Sequence, residues 1–150
     1  MKKFNFSLQK ILEVKEQILE NLKIELGSLN VELVDIDSAI KNLNKQFTDI
    51  DKKFVEKSSV AISVAEMAYS KMYMSSILKQ IENKEEKKAH VQNRIEAKRA
   101  EIINMNKEIS SFEKLREKEL EKYNKIIMKS EEIFIEEFVS NKSMTSKYAI

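Results

Sequence analysis

The sequence has no cysteine, no proline, no tryptophan and a single glycine in 150 residues. Without cysteine there is no thiol nucleophile, no thiolate metal site and no disulfide scaffold, which fits a reducing compartment such as the cytoplasm. Without proline, and with Gly27 as its lone glycine, the chain has almost no vocabulary for tight turns or phosphate-cradling loops. Aromatic residues make up 7% of the chain and charged residues 35%, so a large globular core is not expected. Neither sign of charge prevails, with 27 Lys+Arg against 25 Asp+Glu and a net charge of +2. The balance holds locally, 10 to 10 in residues 1–60, 12 to 10 in 61–120 and 5 to 5 in 121–150. No basic patch for nucleic acid results. Long apolar runs are missing too. None approaches the ~18 residues of a membrane span, and none follows Lys2 and Lys3 as the core of a signal peptide, so the chain is expected to be neither secreted nor embedded.

What is present is a heptad. Steps of four and three from Leu8 reach Leu12, Lys15, Leu19, Leu22, Leu26, Leu29, Leu33, Ile36, Ile40, Leu43, Phe47, Ile50 and Phe54, and thirteen of these fourteen positions are apolar. This is the seam of a coiled coil. Gly27 falls off the seam, where it costs helix propensity without breaking packing. A helix cannot bury such a stripe alone, and the second half supplies a partner through Ile77, Ile81, Val91, Ile95, Lys98, Ile102, Met105, Ile109 and Phe112, interrupted by Lys84 and Lys88. Beyond Phe112, Arg116, Leu120, Tyr123 and Ile127 include two consecutive four-residue steps, a stutter that loosens the seam without stopping the helix.

The least periodic stretch is Glu56–Ser63, and Ser63-Val-Ala-Glu66 has the form of a helix-starting capping box. The expected fold class is therefore all-α: an antiparallel two-helix coiled-coil hairpin over residues 1–139. Its first helix covers about 4–57, the turn about 58–63 and the second helix about 64–139, with 140–150 a disordered tail. If facing residues have numbers adding to a constant, a value near 131 sets Lys15 against Arg116 within the seam. A value near 124 sets Lys15 against Ile109 and Leu33 against Val91, and avoids the buried like-charge pair. The second helix then overhangs the first beyond about residue 120. One unbroken helix pairing with another chain is the competing arrangement.

The inventory disfavours catalysis. His90 is the only histidine and sits in the charged run Glu82–His90, where a solvated helix position is expected rather than a pH switch. Glu82/Glu86, Glu117/Glu121 and Glu132/Glu136 read as solvated faces. No catalytic residue, cofactor or metal site is expected. The anomalies are apolar residues outside the seam. Ile24, Val31 and Val34 form a stripe around Gly27, whereas Ile11 and Ile18 flank the seam and are expected to widen its core. Tyr123, Ile126, Ile127, Ile133, Phe134, Ile135, Phe138 and Val139 crowd the overhang, to be covered by Phe4 and Phe6 or by a partner protein. Near the turn, Phe47 and Phe54 face Tyr69, Met72, Tyr73 and Met74 across poorly filling Ala61, Ala65 and Ala68.

The opening Phe4-Asn-Phe6-Ser-Leu8-Gln-Lys-Ile-Leu12-Glu-Val-Lys-Glu16 resembles the usual start of the FliJ family of the flagellar type III protein export apparatus. The charged run Glu113-Lys-Leu-Arg-Glu-Lys-Glu-Leu-Glu-Lys-Tyr123 fits the same family. The resemblance implies a non-enzymatic coiled coil similar to the central stalk of rotary ATP synthases, acting in the cytoplasm at the inner face of the membrane at the flagellar base. It implies binding to the hexameric export ATPase, whose assembly it favours, to the cytoplasmic domain of the export gate, and to export chaperones. The ATPase-ring contacts implied are Phe4, Phe6, Tyr123, Ile127, Phe134 and Phe138. The gate contacts implied are Phe47, Phe54, Tyr73, Ile77 and Ile81. A stalk subunit of another rotary-type ATPase and a homodimeric scaffold remain as alternatives.

Overall fold

The computed structural model describes residues 2–148. Helix α1 runs from Gln9 to Val60 and helix α2 from Val64 to Tyr148. They pack as a helical hairpin whose second helix is the longer, 85 residues against 52. No strand occurs among the described residues. Both helices run unbroken because nothing in their interiors stops them. Gly27 is helical, its φ is not positive, and a β-carbon built on it would meet nothing within 4 Å. Replacing Gly27 by alanine is therefore expected to raise the unfolding free energy by about 0.5–1 kcal/mol, read from the urea midpoint, because only backbone entropy is at stake.

The helix boundaries differ from those expected. Helix α1 starts at Gln9 rather than at residue 4, because residues 2–8 pack against α2 in a non-helical conformation. At its other end α1 continues to Val60, since the Ser58 and Ser59 hydroxyls donate to the Val55 and Glu56 carbonyls at 3.0 and 2.7 Å and stay within the helix. Ser63 then caps α2, its hydroxyl accepting from the Glu66 amide at 3.1 Å, which satisfies one of the amides free at a helix start. Helix also continues through 140–148, where a disordered tail was expected. There the Thr145 and Ser146 hydroxyls donate to the Asn141 and Ser143 carbonyls and leave the backbone ladder intact. Residues 149 and 150 of that expected tail lie outside the described residues.

The packing forms two compact units. The first comprises the residues up to Leu19 together with those from Asn104 onward, and the second is Glu20–Ile103. In the second unit Leu29, Ile36 and Ile40 of α1 meet Val91 and Ile95 of α2, with Leu26 and Leu33 packed against them. Leu22 is half-buried, and Ile77 toward the turn is 1% exposed. Ion pairs flank this seam: Lys98 to Glu25 at 2.6 Å, Lys88 to Asp37 at 2.9 Å and Arg94 to Glu32 at 3.9 Å. The acids all come from α1 and the bases from α2. Partner numbers add to between 123 and 126, so the register is the one near 124.

Hydrogen bonding to Asp37 and to Glu25 raises the pKa values of Lys88 and Lys98 above their ordinary 10.5. Whatever these pairs contribute is thus fully present below pH 10.5 and fades only as pH rises through the raised values. Exposed pairs of this kind contribute little; the apolar seam dominates stability.

In the first unit Phe6, Leu12 and Ile109 are buried, while Leu19, Met105 and Phe112 are half-buried at seam positions; Ile102 of the second unit is half-buried too. Lys15 occupies a seam position without being stranded. Its ammonium meets Glu108 at 2.6 Å and lies 5.4 Å from the centre of the Phe112 ring, so its charge is neutralised while its stem covers apolar surface.

Candidate partner-docking surface

The end of α2 is where the hairpin leaves most apolar surface bare. Past Phe112 the seam opens, and Arg116 and Leu120 are exposed, as the stutter implies. Tyr123 and Ile127 return to half-buried positions, and the segment before α1 lies on Tyr123. Phe4 packs 5.5 Å from the Tyr123 ring, the Tyr123 hydroxyl donates to the Lys2 carbonyl at 2.7 Å, and Phe6 is buried. The Gln9 amide closes the segment onto α1 by donating to the Phe6 carbonyl at 3.0 Å. This N-terminal strap ends the cover. Ile126, Ile133, Phe134, Ile135, Phe138 and Val139 all remain exposed, Phe134 at 69%. Lys142 places its ammonium 6.0 Å from the Phe138 ring centre, and no other aromatic contact forms there among the described residues.

The residues implied as ring contacts thus separate into two groups. Phe134 and Phe138 are exposed, whereas Phe4 and Tyr123 pack together in the strap, Phe6 is buried and Ile127 is half-buried. Phe6 in particular is 5% exposed. The implied gate contacts divide in the same way. Tyr73 is exposed, Phe47, Phe54 and Ile81 are half-buried in the seam, and Ile77 is buried. Ile77 is core, not surface. Around the turn the bare apolar residues are instead Val55, Val60, Val64, Tyr69 and Met72. The valines there escaped sequence reasoning because they lie off the heptad seam and away from the aromatic residues that drew attention to this end.

Two further surfaces follow the sequence. Ile24, Val31 and Val34 are all exposed around the open Gly27 site. Ile11 and Ile18 are also exposed, contrary to the expectation that they widen the core. His90 is exposed on α2. The cross-helix ion pairs were missed by sequence reasoning, although fixing the register near 124 would have placed Glu25 beside Lys98 and Asp37 beside Lys88.

Among the described residues no group of three or more His, Cys, Asp or Glu is placed to hold a metal ion. No helix among the described residues is long and apolar enough to cross a membrane. No curated protein and no solved structure gives a significant match to the chain. The family described as flagellar FliJ protein matches residues 4–147, a span that takes in the strap, both helices and the bare end of α2. The chain belongs to the FliJ family and is a flagellar, export-related coiled-coil protein.

Proposed function

We propose that this protein is a non-enzymatic stalk of the flagellar type III export apparatus, acting in the cytoplasm at the inner face of the membrane at the flagellar base. In this reading it binds the hexameric export ATPase through the end of α2, promotes assembly of the ring and couples it to the cytoplasmic domain of the export gate. It also binds export chaperones. The observation that carries the ATPase assignment is the distribution of apolar side chains on one stretch of α2. At 3.6 residues per turn, Ile133, Phe134, Ile135, Phe138 and Val139 spread over roughly 240° of the helix circumference. A helix apolar on one stripe docks on a flat surface, but one apolar over most of its circumference is suited to being enclosed. A cavity surrounded by ring subunits encloses a helix end in this way.

Gate contact is assigned to the turn end, through Tyr73 and the neighbouring Tyr69 and Met72, whose amphipathic or polarisable side chains suit a protein interface. Phe47, Phe54 and Ile81 support that surface from the seam. Because α2 is continuous from Val64 to Tyr148, one helix carries both the gate-facing and the ring-facing residues. The test is retention of the flagellar export ATPase by the full chain, followed by the same measurement with Phe134 and Phe138 replaced by alanine. Loss of ATPase with the double variant supports the assignment; equal retention contradicts it.

A further inference from the structure

Resting on the docking role proposed above for the end of α2, we infer that the surface receiving residues 126–139 is basic as well as apolar, with lysine or arginine side chains set beside its apolar ones. Residues 130–141 contain Glu131, Glu132, Glu136 and Glu137 and no lysine or arginine, although residues 121–150 as a whole carry five of each sign. These carboxylates alternate with the exposed Ile133, Phe134, Ile135, Phe138 and Val139, so any partner that covers the apolar side chains also approaches the acids.

Along the seam, Glu25, Asp37 and Glu108 are matched by Lys98, Lys88 and Lys15. None of the four glutamates at the α2 end forms an ion pair among the described residues. Glu132 and Glu136 stand at i and i+4, a like-charge spacing that disfavours the free helix and that a cationic partner relieves.

The strap points to the same chemistry. The segment that this chain lays on the adjoining turns of α2 is non-helical and reads Lys2-Lys3-Phe4-Asn-Phe6, basic and aromatic together. Loops of that kind, presented by an enclosing protein, continue the cover along the helix. An anionic membrane surface and a second copy of the same acidic end are both repelled by four carboxylates.

The experiment titrates the export ATPase hexamer with the full chain at low and at high salt, comparing the native protein with the E131Q/E132Q/E136Q/E137Q variant. Glutamine keeps the size and helix preference of glutamate, and helix content checked by circular dichroism confirms that folding is retained. The native chain is expected to lose tenfold or more in affinity at high salt. The variant is expected to bind at least tenfold more weakly at low salt and to respond little to added salt. A correctly folded variant that binds as tightly as the native chain, with the same salt response, overturns the inference and leaves the docking role standing. Failure of the native chain itself to bind the ATPase overturns both.

Discussion

Replacing Phe134 and Phe138 by alanine is expected to weaken binding of the export ATPase by at least about a hundredfold while leaving the protein's unfolding curve where it was. Both side chains are mostly exposed on a helix whose facing partner has ended, so their removal opens no cavity in the fold. At an interface the same rings are the largest apolar groups available, and truncating such anchors typically costs about 2 kcal/mol or more apiece, which over two residues exceeds a hundredfold in affinity. The contrast between binding and stability is what gives the test its force. A double variant that unfolds several kcal/mol more readily than the native chain would mean that these rings serve the fold and not a partner.

Truncating Leu29 to alanine is expected to have the opposite profile, lowering the unfolding free energy by about 2–5 kcal/mol. Leu29 is 6% exposed within the cluster it shares with Ile36, Ile40, Val91 and Ile95. The loss combines the transfer energy of the missing side-chain atoms with the cavity left between two helices that cannot close around it. For a protein whose whole stability is on the order of 5–15 kcal/mol, one such change approaches the unfolding threshold. Val31, two residues away and exposed, serves as the internal control, and its replacement by alanine is expected to stay within about 0.5 kcal/mol. Equal effects at the two positions, measured by urea denaturation, would show that the heptad seam is not what closes the hairpin.

Much of the architecture was legible because a heptad is a periodic signal. All fourteen seam positions from Leu8 to Phe54 are buried or half-buried, and the register near 124 followed from refusing to bury Lys15 against Arg116. The Ser63 cap was legible for the same reason, since a hydroxyl three residues before Glu66 answers a specific need of the helix start. Less legible was what competes with the repeat. The first helix was expected from about residue 4, yet Phe4 lies on Tyr123 of α2 and the helix starts at Gln9. The polar run at 140–148 lacks any apolar period, but without proline or glycine nothing ends the helix there. Ile77 is buried, as its seam spacing implies. In the candidate site, the concentration of apolar residues past Tyr123 was readable, whereas the division between the part under the strap and the bare part depends on a hydrogen bond from Tyr123 to a backbone carbonyl that no side-chain pattern encodes.

The central claim is that the two halves of one chain close each other's seam, side by side and running in opposite directions. Since the protein has no cysteine, pairs can be introduced against a silent background. Glu32 and Arg94 face each other across the helices at 3.9 Å, and Glu101 lies seven residues farther along α2, about 10.5 Å away. With Glu32→Cys and Arg94→Cys in one chain, a short bismaleimide is expected to give an internally linked product of monomer mass, in much higher yield than with Glu32→Cys and Glu101→Cys. Covalent dimers as the main product of the first pair, or preferential linkage of the second, would contradict the account.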